Sequence, residues 1–231
     1  MIKRCDNREE VLILFATDSL ANPRVWNIHN EENNLVQKAV QYTKTYPLLL
    51  EKKLKEKYPE YIIMNNVYSQ RGSGWGTGTV KSKDFFALYF PKDHHADITI
   101  FQYGISECWI KDNGKPRVNT VDFENNIQAI MEDKEKYDPN SITIFVSILP
   151  TIQKYIDKQP KQNELISEWN QIIKNNLIKN CYFADIEEYF YANKELQEEI
   201  VHPDGHHLNI MGHEVFAEVI FKTIINIKDG E

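Results

Sequence analysis

Long apolar runs are missing from this sequence of 231 residues. The first apolar stretch, residues 11–16, is far shorter than the ~20 residues of a membrane-spanning helix, and the acids Asp6, Glu9 and Glu10 precede it. Neither a membrane span nor a secretory core is expected, and the cytoplasm is the default address. Cysteine is scarce: Cys5, Cys108 and Cys181 are odd in number and stand at no metal-ligand spacing, which excludes a disulfide framework and fits reduced packing residues. A surplus of positive charge is also lacking. Lys and Arg number 27 against 34 Asp and Glu, a formal net charge of -7 spread along the chain, so nucleic acid is not an expected partner. Glycine is rare as well, with 9 in all, yet Gly72, Gly74, Gly76 and Gly78 fall in one stretch. That stretch carries no Gly-Lys-Ser/Thr and fits neither a Walker loop nor a dinucleotide fingerprint. No repeat or low-complexity tract and no break in composition divides the chain, so a single domain over residues 1–231 is expected.

What is present is an alternation of two periods. Residues 11–16, 61–64, 97–103 and 141–149 read as buried strands, with a weaker one at 181–184. Between them, Tyr46, Leu49, Leu50, Leu54 and Tyr58 fall on one helix face and Pro59 marks its end; similar patterns cover residues 121–136, 163–178 and 211–227. Parallel neighbours need a crossover, usually a helix, so the alternation predicts an α/β fold: a three-layer α/β/α sandwich around a mainly parallel sheet. Two polar segments, the Asn-rich 22–44 and residues 111–119 with Gly114 and Pro116, read as surface insertions.

Ligands of open parallel sheets bind at the carboxyl ends of the strands. There the sequence places Asp18-Ser19 after the first strand, the glycine stretch after the second, Gly104-Ile105-Ser106-Glu107 after the third, and His202-Pro203-Asp204-Gly205-His206-His207 before the last helix. A serine hydroxyl needs an adjacent base, and the base works best with a carboxylate fixing its tautomer; Asp204 and His207, three residues apart on one loop, are suited to that pairing. Close backbone approach at glycine supplies donors for the charge that develops on an ester oxygen, with Gly72 and the Ser19 amide as candidates. Plainer readings stand beside these. Asp18-Ser19 suits a helix N-cap, Ser106 an ordinary turn, and Arg24 and Arg71, which could grip an anionic substrate, more commonly a solvated surface. His206 reads as a loop residue and His213 as packing or capping at the start of the last helix. His202, His206, His207 and His213 lack a His-Glu-x-x-His or Cys-x-x-Cys partner, so no metal is expected. Trp75 and Trp109, at strand ends, suit a substrate wall.

The run Val-Leu-Ile-Leu-Phe-Ala-Thr-Asp18-Ser19-Leu20 and the block Asp204-Gly-His-His207-Leu-Asn-Ile-Met-Gly212-His resemble the first and last motifs of the SGNH (GDSL-type) serine hydrolase superfamily. Gly72, or Gly74 in another loop register, matches the glycine of its second block, and Gly104 that of its third. The resemblance implies a flavodoxin-like sandwich and an esterase without metal or organic cofactor. Ser19 would be the nucleophile, His207 the base and Asp204 its orienting acid, with Gly72, Gly74, Gly104 and Ser106 around the oxyanion and substrate. A short-chain ester of a small molecule or carbohydrate, such as an O-acetylated sugar, is the implied substrate. Thr17 stands where the superfamily has glycine, and Ser106-Glu107 where it has Asn-Asp, so a hydroxyl replaces the amide donor. Pro23-Arg24, Thr45-Tyr46-Pro47 and the segment from Gly104 to Cys108 are similar to a subgroup associated with bacterial surface polysaccharides. Two alternatives remain open: an O-acyltransferase with residues 22–44 as a lid that excludes water, and a non-catalytic carbohydrate-binding protein on the same fold.

Overall fold

The computed structural model describes residues 9–69 and 96–229. Its main sheet holds β1 (Glu9–Thr17), β4 (Tyr61–Ser69), β5 (Ile98–Gln102), β6 (Ile142–Val146) and β7 (Cys181–Ala184), in the order β4-β1-β5-β6-β7 with every pair parallel. The β-branched runs Ile-Thr-Ile-Phe of β5 and β6 suit a pleat covered on both faces, and all five residues of β5 are buried. The expected strands are all present; the first and second run longer than their apolar cores, and the third and fourth are shorter because their last residues already turn toward the site.

Helices α1 (Tyr46–Lys57) and α8 (Ile210–Asp229) pack against each other, as do α3 (Thr120–Tyr137) and α5 (Gln162–Asn175). The result is the three-layer α/β/α sandwich. Pro47 opens α1, where its missing N–H costs nothing, and Tyr46, Leu50 and Leu54 are buried along one face. Phe123 of α3 stacks on Trp169 of α5 at 3.9 Å between ring centroids, and both are fully buried. Burial of one such ring contributes about 2–3 kcal/mol. No described helix is long and apolar enough to cross a membrane. Cys108 and Cys181 are buried free thiols, as packing residues would be; Cys5 lies outside the described residues.

The segment 22–44 is more than a polar insertion. It folds into an antiparallel hairpin, β2 (Arg24–His29) with β3 (Leu35–Val40). Its asparagines build the turn: Asn33 adopts φ 61°, and the Asn30 side chain accepts the Asn34 N–H at 2.7 Å. Residues 111–119 form an irregular loop with Gly114 at φ 72°. The short helices α2 (Ile105–Cys108), α4 (Gln153–Ile156), α6 (Ile186–Ala192) and α7 (Gln197–Ile200) complete the chain order.

In this strand order the chain goes from β1 to β4 on one side, and the next strand, β5, lies on the other side of β1, after which β6 and β7 continue outward. The crevice between the carboxyl ends of β1 and β5 is therefore the switch point of the sheet, where open α/β folds bind ligands.

Candidate active site

Beyond β1 the chain makes a single 3-10 turn, Ser19–Ala21. Asp18 stays extended, its N–H donates to Gln102 O of β5 at 3.0 Å, and its carboxylate accepts the Leu20 N–H at 2.8 Å. The two readings of the Asp-Ser pair thus divide between its members: Asp18 caps the turn and Ser19 is left to project. Thr17 keeps its β1 pairing with Gln102 and has no positive φ, so this turn does not require the glycine that the resemblance suggests. Burial pushes the Asp18 carboxyl up to about 7, against the pull of the Leu20 N–H and of the Gln102 side chain.

The other half of the site is a tight loop between α7 and α8. The Val201–Leu208 bridge, His202 N–H on His207 O (2.8 Å) and Gly205 N–H on His202 O (2.8 Å) close it. Gly205 sits at φ 88°, and a Cβ there would lie 2.2 Å from the Tyr155 ring. Folded this way, the loop turns Asp204 and His207 toward each other. His207 Nδ1 lies 2.8 Å from Asp204 Oδ2, and His207 Nε2 lies 2.9 Å from Ser19 Oγ. With Nδ1–H donating to the carboxylate, Nε2 presents its lone pair to the serine hydroxyl.

Asp204 is held by more than His207. Its Oδ1 accepts the His206 and His207 N–H groups at 3.2 and 3.1 Å, and Arg24 Nη1 of β2 lies 3.1 Å from Oδ2. Burial by itself would raise this carboxyl, but the His207 hydrogen bond and the charges of the neighbouring imidazoles outweigh it and hold it well below the usual carboxylate range. His202 Nδ1 accepts the Asp204 N–H at 3.0 Å. The same nitrogen lies 3.0 Å from Oδ2, an ion pair only for a charged ring, and burial lowers the His202 pKa and disfavours that charge.

A cleft of ≈ 440 Å³ opens over this arrangement, lined among others by Ser19, Arg24, Ser106, Trp109, His206 and His207. Gly104 adopts φ 118° and heads α2, and so carries the chain from β5 into the helix that bears Ser106. Of the expected site residues, Ser19, Asp204 and His207 come together, Gly104 shapes the turn, and Ser106 lines the cleft. Gly72 and Gly74 lie outside the described residues, with Arg71 and Trp75.

Two expectations need correction, and a third is refined. Arg24 is no solvated surface residue, because the hairpin delivers its guanidinium to Asp204. His206 is no bystander: its ring lies 4.8 Å from Trp109 and 4.2 Å from His207 and lines the cleft, and burial, with the neighbouring His207, pushes its pKa down to about 4. His213 packs as expected, buried and stacked on Tyr46 at 6.1 Å between ring centroids, but it caps α1 rather than its own helix. Its Nδ1 accepts the Tyr46 N–H at 3.1 Å, and burial pushes its pKa down to about 3. A ring that accepts at the start of a buried helix must be neutral.

Asp204, His206 and His207 each bring a ligand atom within 4.8 Å of the others, near enough for one cation. Coordination would require His207 to give up one of its two contacts, since Nδ1 faces Asp204 and Nε2 faces Ser19.

No protein-family model matches the chain, and no curated protein matches it significantly. Solved structures do resemble it over most of both chains. A lipase/acylhydrolase from Enterococcus faecalis is 14% identical, with 93% of this chain and 95% of that chain covered, at a TM-score of 0.64. The acetyl xylan esterase AlAXEase is 18% identical over 92% of this chain and 98% of that one, at 0.65. An acetylxylan esterase from Geobacillus stearothermophilus is 15% identical over 94% and 95%, at 0.62. At these identities the likeness is one of fold: the chain has the three-layer architecture of esterase and lipase structures.

Proposed function

We propose that this protein is a serine esterase that removes a short acyl group, such as acetyl, from a sugar. The observation that carries the reading is the unbroken line Ser19 Oγ, His207 Nε2, His207 Nδ1, Asp204 Oδ2, with contacts of 2.9 and 2.8 Å at the switch-point crevice. In the first half-reaction Ser19 Oγ attacks the ester carbonyl while Nε2 takes its proton, and the imidazolium then returns that proton to the departing sugar oxygen. In the second half-reaction a water, deprotonated by the same nitrogen, attacks the acyl carbon, and Ser19 leaves with the proton. Asp204 stays ionised throughout and orients the ring.

Oxyanion stabilisation falls to the Ser19 N–H, which has no acceptor among the described residues, and to the Ser106 hydroxyl, with an amide of Gly72 or Gly74 as a further donor. Trp109 offers a flat apolar wall against which a sugar ring can pack. The two acetylxylan esterases among the similar folds motivate the choice of an O-acetyl sugar as first substrate.

The test is hydrolysis of p-nitrophenyl acetate and of acetylated glycosides by the wild type and by Ser19→Ala and His207→Ala. Each variant is expected to lose roughly 10⁴-fold or more in kcat. Wild-type turnover by Ser19→Ala would refute the nucleophile. The cluster of Asp204, His206 and His207 favours one second reading, a cation-assisted hydrolase. That reading requires activity lost to a chelator and restored by metal, whereas the serine mechanism requires indifference to both.

A further inference from the structure

We propose that His206 is a specificity residue whose Nε2 accepts a hydrogen bond from a free sugar hydroxyl, so that the substrate carries an unacylated hydroxyl next to the acylated one; this inference rests on the esterase reading. It starts from the tautomer of the ring. His206 Nδ1 lies 3.2 Å from Asp204 O, and a carbonyl oxygen can only accept, so Nδ1 carries a proton and donates it. In a neutral imidazole the other nitrogen is then an acceptor. The ring is neutral, because burial and the neighbouring His207 push its pKa down to about 4. His206 Nε2 therefore holds a lone pair that meets no donor among the described residues, on a side chain that is 31% exposed and lines the cleft.

The packing fixes where that lone pair stands. Both histidines turn Nδ1 toward Asp204: His207 Nδ1 lies 2.8 Å from Oδ2, and His206 Nδ1 lies 3.8 Å from Oδ1. Nε2 is at the outer end of each ring, and for His207 that end meets Ser19 Oγ at 2.9 Å. The two ring centroids are 4.2 Å apart, so His206 stands directly beside the base that hands a proton to the departing sugar oxygen. On its other side the Trp109 ring lies 4.8 Å away, and Tyr155 backs Trp109 at 5.1 Å. Wedged between Trp109 and His207, the ring cannot swing aside. The backbone before it is fixed as well, with Gly205 against the Tyr155 ring and the Thr151 hydroxyl donating to Gly205 O. An acceptor held in this way beside an aromatic wall makes one subsite: Trp109 takes an apolar face of the sugar, and His206 takes a hydroxyl at its edge. A site built to bond a hydroxyl discriminates against an analogue that lacks it, because its own polar group is then left unmet.

The experiment measures kcat/KM for monoacetylated methyl xylosides and for their deoxy analogues, in which hydrogen replaces the hydroxyl next to the ester. The hydroxyl-bearing ester is expected to be favoured by about 10-fold for at least one acetyl position. Two variants then remove the acceptor differently. His206→Asn keeps an N–H where Nδ1 stood and carries nothing as far out as Nε2, whereas His206→Phe keeps a ring between Trp109 and His207 without the lone pair. In each the ratio should fall toward parity, whatever the loss in absolute rate, and His206→Gln, whose amide reaches about as far as Nε2, should retain part of it. Equal kcat/KM for the two esters at every acetyl position in the wild type, or a preference undiminished in both His206→Asn and His206→Phe, overturns the inference. If no ester is cleaved, the esterase reading falls and a second arm decides: Ser19→Ala is titrated with methyl xyloside and its deoxy analogues. Binding that weakens about 10-fold with loss of one hydroxyl, and no longer does so when His206→Asn is added, upholds the role of His206. Binding indifferent to every hydroxyl overturns it.

Discussion

Asp18 and Ser19 are neighbours with opposite fates, and each carries its own prediction. Asp18 is buried with its carboxyl pushed up to about 7, whereas in the unfolded chain it titrates near 3.8. Between those values the native state keeps a proton that the unfolded state has released. The stability it contributes is therefore present at low pH and lost as pH rises through about 7, roughly 4 kcal/mol over the window. Asn keeps the capping oxygen and cannot ionise. Urea unfolding of Asp18→Asn should then show a stability that falls less between pH 4 and 7 than that of the wild type. Identical slopes would mean that Asp18 is ionised in the fold. Ser106 is tested by kcat rather than by stability. If its hydroxyl donates to the oxyanion, Ser106→Ala should lower kcat by about 10-fold with KM little changed, because the lost contact forms in the transition state. An unchanged kcat would remove Ser106 from the oxyanion site.

At this scale the sequence was legible where chemistry leaves a fixed spacing. Asp204 and His207, three apart, do meet in space, and Ser19 meets them from 188 residues away. His206 and Arg24 were missed for a physical reason. A histidine beside a histidine carries no spacing of its own, and the role of Arg24 depends on a partner 180 positions distant.

Elements decide where these residues point. The hairpin of β2 and β3 matters because its first residue, Arg24, reaches Asp204. Both side chains of that pair are about a quarter exposed, so the pair is worth on the order of 1 kcal/mol. Arg24→Ala should lower kcat on a neutral short ester by about 3–10-fold without abolishing it, since His207 and two backbone amides still hold Asp204. Loss as deep as that of His207→Ala would instead make the arginine an essential part of the machinery. The loop before α8 depends on Gly205. Alanine there would meet both a φ of 88° and the Tyr155 ring, so Gly205→Ala should cost about 1–3 kcal/mol in thermal unfolding and lower kcat as well. A variant as stable and active as the wild type would show that the loop can be rebuilt.

The long helices and buried strands were readable because each carries a strong period: Tyr46, Leu50 and Leu54 on α1, and the Ile-Thr-Ile-Phe runs of β5 and β6. The hairpin was not, although alternate residues of β2 are partly covered. Its apolar side shows little more than Trp26 and Ile28, and the asparagines around it resemble those of an open loop until Asn33 is seen at positive φ.

For the molecule as a whole, the strand order β4-β1-β5-β6-β7 explains why segments so far apart in sequence converge. Ser19 leaves the end of β1, Ser106 follows β5, and the crevice between those strands is the place where the strand order reverses. The alternation of strand and helix implied the layers. The reversal point could not be read from alternation, because it depends on which edge each crossover returns to. The central claim is that Ser19 is a nucleophile activated by His207, and a covalent label reads this directly. On exposure to a fluorophosphonate followed by peptide mass spectrometry, the wild type should carry one adduct, on Ser19, that His207→Ala slows severely and Ser19→Ala abolishes. An unlabelled wild type, or an adduct on another residue that persists in Ser19→Ala, would contradict the account.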